Sequence, residues 1–145
     1  MTNEIRAIAI CVFRHDGRIL VAHALDASKG ERFLRPLGGR IEFGELSADA
    51  LRRELREELH SEIEQLELLG VLEDVYVYAG VRCHDIAFVF DAKFQDASLY
   101  QRGEIPIAEA GWEGPATWQH LGALSSVDTP LYPAGLLALL FARSA

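Results

Sequence analysis

Three glutamates, Glu54, Glu57 and Glu58, stand at i, i+3 and i+4 inside a segment whose apolar residues recur with a helical period. That combination limits what the chain can fold into. On a helix of about 3.6 residues per turn, Ala48, Leu51, Leu55 and Leu59 form the stripe that must face a core. Glu58 projects only about 20° from Leu51 on the same wheel, and Glu54 borders the stripe. Burying the stripe therefore draws carboxylates toward the interior, which is costly unless something compensates them. Each ionised glutamate also raises the cost of ionising the next. A solvated charged face would lie opposite the stripe, and this one does not. A hard, oxygen-seeking divalent cation, magnesium or manganese, removes both conflicts.

The residues ahead of the helix add to this reading. Arg35-Pro36-Leu37-Gly38-Gly39-Arg40-Ile41-Glu42-Phe43-Gly44-Glu45 is a glycine-containing entry, and Ser47 with Asp49 predicts a helix start, the helix running to about Leu59. From Gly39 to Ser61 the segment resembles the Nudix box of the Nudix (MutT-like) hydrolases. Gly39, Glu45, Arg53, Glu54, Leu55, Glu57 and Glu58 fill seven of its nine fixed positions. His60 stands where the family has glycine and Ser61 where it has an aliphatic residue. The missing glycine falls where helices end in a left-handed residue, a conformation histidine tolerates. The weaker likeness runs from about Ala7 to Leu140, through His84-Asp85-Ile86-Ala87-Phe88-Val89-Phe90 and the Trp118 segment.

The resemblance implies a Nudix fold, a mixed β-sheet sandwiched between α-helices, in one domain over residues 1–145. It implies a pyrophosphohydrolase in which water attacks phosphorus of a nucleoside diphosphate linked to another moiety. It assigns Glu54, Glu57 and Glu58 as ligands of Mg2+ or Mn2+, with a backbone carbonyl of Gly38 or Gly39 assisting. Glu45 and Arg53 are expected to pair and hold loop against helix, the alternative for Arg53 being a surface pair with Glu57. Arg35 and Arg40 are candidates for the substrate phosphates. The general base is expected from the cluster itself or from a later loop, where Glu113 best matches and Glu109 and Glu104 are alternatives. A second functional class is a Nudix-fold nucleotide sensor with little turnover, but a pure binder has no reason to keep a repulsive carboxylate cluster.

Composition narrows the partners. A net charge of −8 weighs against binding a nucleic-acid backbone, and an anionic small-molecule substrate is compatible with it only through a bound cation. The chain has no apolar run approaching the ~18 residues of a membrane span. Cys11 and Cys83 lack CxxC spacing and read as buried thiols, which suits a reducing cytoplasm. Oligomeric state is open, a homodimer included.

The remaining pattern predicts an α/β domain with helices packed on a sheet. Ile5–Phe13 reads as a buried strand, His15-Asp16-Gly17 as a turn, and Arg18–Leu25 as its hairpin partner. Asp26–Arg32 and Gln95–Pro115 read as loops, Leu66–Tyr78 and Val81–Phe94 as long strands around Ala79-Gly80, and Trp118 as a short strand. Pro133–Ala142 reads as a C-terminal helix. Phe33, Tyr76, Tyr78 and Trp112 are aromatic enough to stack on a base, but core or rim packing is the favoured role for each.

Overall fold

The computed structural model of the chain describes residues 3–124 and 129–143. In chain order these form β1 (Ile5–Cys11), β2 (Arg18–Asp26), β3 (Glu31–Arg35), β4 (Leu37–Arg40), α1 (Ser47–Leu59), β5 (Ile63–Tyr78), β6 (Val81–Phe94), β7 (Glu104–Ile105), β8 (Ala116–His120), α2 (Leu121–Leu124) and α3 (Leu136–Ala142). A 3-10 turn spans Ala97–Gln101.

Two four-stranded sheets carry the fold. The first is mixed, ordered β4-β1-β6-β5, with β1 parallel to β6 and the other neighbours antiparallel. The second, β3-β2-β8-β7, is antiparallel throughout. Both faces of β1 are apolar, so it lies centrally between two buried clusters. Ala9 and Cys11 join Leu51, Leu55 and Leu59 of α1 in one cluster. Ile8, Ile10 and Val12 join Ile19 and Val21 of β2 and Leu136 and Leu140 of α3 in the other.

The expected hairpin between Ile5–Phe13 and Arg18–Leu25 is corrected by this topology. Among the described residues their backbones pair only through the His15–Arg18 bridge and a hydrogen bond from the Leu20 N–H to the Val12 carbonyl, and the two segments then enter different sheets. The cause is local: buried Phe13 has φ 52°, a left-handed turn for a bulky residue that breaks the strand. Stacking of its ring on Phe94, centroids 4.0 Å apart, accompanies that turn.

α1 spans Ser47–Leu59, the expected range, although the residue preceding it is Leu46, which offers no side-chain cap. Two other boundaries shift. The C-terminal helix begins at Leu136, after the Pro133 segment. The first of the two long strands begins at Ile63 and carries two register shifts before Gly70. None of these moves the carboxylates of α1. At its far end His60 has φ 54° and ψ 36°, and its N–H reaches the Arg56 carbonyl. Histidine thus adopts the left-handed cap that glycine would otherwise supply. No described helix is long and apolar enough to cross a membrane.

Candidate active site

The helical wheel carries through to the structure: Ala50, Leu51, Leu55, Leu59 and also Glu58 are the buried residues of α1. Glu58 is only 1% exposed. One of its oxygens, Oε1, accepts the Gly38 N–H at 3.1 Å; the other, Oε2, has no hydrogen-bond partner among the described residues. Burial, with the nearby Glu109 and Glu54, pushes its carboxyl up to about 9. A buried oxygen without a partner carries a desolvation cost that a cation would remove.

Gly38 and Gly39 owe their identity to this cluster and to the sheet. At Gly38 (φ 137°) a Cβ would overlap the Ala9 carbonyl. At Gly39 a Cβ would stand 2.5 Å from the carboxyl carbon of Glu54. The β4 edge therefore forms a wall without side chains against which the Glu54 carboxylate rests. Burial raises the Glu54 carboxyl above its ordinary value, against the opposing pull of Arg53.

Glu54 and Glu58 are joined by Glu109, the ligand oxygens of the three lying within 4.8 Å of one another. The loop is pinned there by the Ala108 N–H, which donates to the Glu58 carbonyl at 2.7 Å. Glu113, favoured from the sequence, lies elsewhere. Its N–H goes to the His23 carbonyl and its carboxylate to Arg32 at 3.5 Å. Glu104 starts the short strand β7 and is exposed. Glu57 is not in the triad; its side chain is 59% exposed and 3.5 Å from Arg53.

Arg53 ties loop to helix. Its Nε and Nη2 donate to the two Glu45 oxygens at 2.8 and 2.9 Å, Nη2 also reaches the Arg40 carbonyl, and Nη1 reaches Glu54 at 3.0 Å. A planar guanidinium is the side chain suited to so many fixed acceptors. Hydrogen bonding to Arg53 holds the Glu45 carboxyl down at about 2. The weaker Glu57 contact is present, but the Glu45 pair dominates. The two loop arginines separate. Arg35 lies over the Trp112 ring, 5.4 Å from its centroid, close enough to Glu58 to oppose the rise of its carboxyl. Arg40 instead pairs with Glu4 at 3.0 Å.

Behind Glu109 and Arg35 a cavity of about 240 Å³ opens between the two sheets, with Phe33, Tyr76 and Tyr132 among its walls. The Phe33 ring meets Tyr78 and Tyr132 edge-on, centroids 5.7 and 5.3 Å apart. These aromatics thus pack on one another and still face open space. Trp112 differs in having a buried Nε1 with no hydrogen-bond partner among the described residues.

Comparison with known proteins agrees with the geometry. The family model described as NUDIX domain matches residues 3–133. The chain belongs to the Nudix family. It is accordingly a hydrolase of phosphoric anhydride bonds. Among solved structures it is similar to the MutT NUDIX hydrolase of Burkholderia pseudomallei, with 23% identity over 95% of this chain and 98% of that one, at a TM-score of 0.65. It is also similar to the E. coli ORF135 protein, at 23% identity over 99% and 93%, TM-score 0.63. A NUDIX hydrolase of Nitrosomonas europaea gives 15% identity over 97% and 89%, TM-score 0.68. At such identities the likeness speaks for the fold, and the site rests on its own residues.

Proposed function

We propose that this Nudix domain, acting as a single unit over residues 1–145, is a Mg2+- or Mn2+-dependent pyrophosphohydrolase of a nucleoside diphosphate linked to another moiety. One observation carries the reading: a glutamate 1% exposed, with an orphan oxygen, faces two further carboxylates within 4.8 Å. Such a set fits a hard divalent cation and is otherwise self-repelling. When bound, the ion neutralises phosphate charge and acidifies water.

The chain's own residues then divide the work. Glu54 and Glu58 would hold the ion, with Glu57 of the same helix and a backbone carbonyl of Gly38 or Gly39 as further candidate ligands. Arg53 and Glu45 keep the glycine edge and the helix at fixed separation. Arg35, beside the cluster at the cavity mouth, faces the phosphates. Glu109, which reaches the cluster where Glu113 does not, accepts the proton of the attacking water on a carboxylate oxygen. The cysteines, both free, suit a cytoplasmic enzyme.

The test is product release from nucleoside triphosphates, nucleotide sugars, ADP-ribose and dinucleotides, with magnesium and with chelator, for the wild type and Glu54→Gln. Turnover that needs both magnesium and Glu54 is expected. Turnover indifferent to the chelator, or none on any substrate, would sink the proposal.

A further inference from the structure

Two arginines bear on the carboxylate cluster, and their donors are used differently. Arg53 is saturated: Nε, Nη1 and Nη2 each reach an acceptor on Glu45, Glu54 or Arg40. Arg35 is not. Its Nε donates to the neighbouring Pro36 carbonyl at 3.3 Å, and among the described residues Nη1 and Nη2 have neither an acceptor nor an ion pair. Yet the Arg35 charge is felt at Glu58, and Arg35 shares a cavity wall with Glu109.

That separation needs a cause. A guanidinium on a flexible stem beside several carboxylates gains charge-assisted, two-pronged hydrogen bonds by closing on them. Acceptors are ready here. Glu58 Oε2 has no hydrogen-bond partner among the described residues. Glu54, Glu58 and Glu109 present ligand oxygens within 4.8 Å of one another. An arginine closed upon them would fill the place of a cation.

Trp112 supplies the restraint. The guanidinium carbon of Arg35 lies over its indole ring, 5.4 Å from the centroid, within the range where a ring face attracts a cation. The ring is itself fixed. It packs against the core cluster that holds Leu51 and Leu55 of α1, and its Nε1 is buried. On either side of it the chain is fastened, by the Ala108 N–H to the Glu58 carbonyl and by the Glu113 N–H to the His23 carbonyl. The first bond ties the loop to α1. The second ties it to β2, whose Ala22 stands opposite Arg35. The contest for the guanidinium is close, since an arginine–carboxylate contact at a cavity rim stabilises no more than such a ring contact does. A ring face attracts the charge without supplying an oxygen acceptor, so Nη1 and Nη2 stay available to phosphate oxygens.

We propose that Trp112 is a positioning residue: it draws the Arg35 guanidinium off the carboxylate cluster, which keeps the cluster open to the divalent cation and leaves both Nη groups free for the substrate's phosphates. The proposal rests on the pyrophosphohydrolase reading for the ion and the phosphates. It adds the side chain that keeps ion and arginine from competing for one place.

Mn2+ binding to the metal-free protein, followed by electron paramagnetic resonance of the free ion, tests this without turnover. Trp112→Leu should weaken Mn2+ by about tenfold, because Arg35 then closes on the cluster. Arg35→Met in the same chain should restore it. Removing Arg35 thus tightens Mn2+ more without the ring than with it, a coupling that a merely structural role of Trp112 does not produce. Progressively fluorinated tryptophans placed at position 112 keep the ring and weaken its face. Mn2+ affinity should fall with each added fluorine and stay flat beside Arg35→Met, a result independent of any folding defect in Trp112→Leu. With Mn2+ saturating, Trp112→Leu and Arg35→Met should each weaken imidodiphosphate, and the double variant should bind it no worse than Arg35→Met alone. Additive effects of the two substitutions on either ligand, or Mn2+ affinity indifferent to fluorination, would overturn the role of Trp112 and leave the hydrolase reading standing. A wild type that binds no Mn2+, or binds it no better than Glu54→Gln does, would overturn both.

Discussion

Replacing Glu58 by glutamine should stabilise the metal-free protein, and only in a defined pH window. The carboxyl of Glu58 sits at about 9 in the folded chain against an ordinary 4.5. A group raised on folding lends stability that is complete below the unfolded value and drains away as pH climbs through the folded one. Each unit costs about 1.4 kcal/mol, so between pH 4.5 and pH 7 the wild type gives up about 3 kcal/mol. Glutamine does not titrate. Its amide oxygen can still accept the Gly38 N–H, and its amide N–H can donate toward Glu54 or Glu109, as the protonated acid would. Glu58→Gln should therefore gain about 3 kcal/mol at pH 7 and under about 1 kcal/mol at pH 5. For a chain of this size that gain is roughly 6–12 °C in Tm. Urea unfolding in chelator at the two pH values measures it directly. With saturating magnesium the order should reverse, because binding to the folded state alone stabilises the wild type. A gain equal at both pH values, or a loss at pH 7 in chelator, would refute the account of Glu58 as a buried acid awaiting a cation.

Four other outcomes follow from the site. Glu109→Gln should lower kcat by about 100-fold or more while Glu113→Gln stays within about twofold, since only the former reaches the cluster; steady-state kinetics of the two variants decides it. Gly39→Ala puts a methyl 2.5 Å from the Glu54 carboxyl carbon, and should weaken magnesium binding by about tenfold or more, read by activity against magnesium concentration. Arg53→Lys loses the two-pronged grip on Glu45 and should cost about 10- to 100-fold in activity. Glu57→Gln, being at an exposed position, should leave the Tm in chelator unchanged while it reduces kcat; a shift in that Tm would mean the residue acts through folding.

Much of the site was legible in the sequence because α1 obeys a short-range rule. A period of about 3.6 places Glu58 beside Leu51, and the resemblance to the Nudix box is what pairs Arg53 with Glu45. What was not legible depended on long-range bonds. The Phe13 turn separates β1 from β2, yet an apolar run followed by His15-Asp16-Gly17 has the same local pattern whether the strands pair or diverge. Likewise Glu109 and Glu113 are equivalent as loop acids. One reaches the cluster because the Ala108 N–H finds the Glu58 carbonyl, a contact with no local signature.

Asp74, by contrast, has a local signature in the sequence. Along β5, Leu72, Asp74 and Tyr76 share one face by simple alternation, so an acid stood among residues turned toward the interior. Glu58 breaks the same rule on a helix. In both cases a carboxylate occupies a position that its periodicity reserves for an apolar side chain; among the described residues Glu58 Oε2 has no hydrogen-bond partner, while Asp74 Oδ2 accepts the Ala134 N–H. Folding alone would favour a hydrophobic residue at either position. A buried carboxylate with an unpartnered oxygen, as at Glu58 in the carboxylate cluster, is the pattern expected where a ligand supplies what the fold omits.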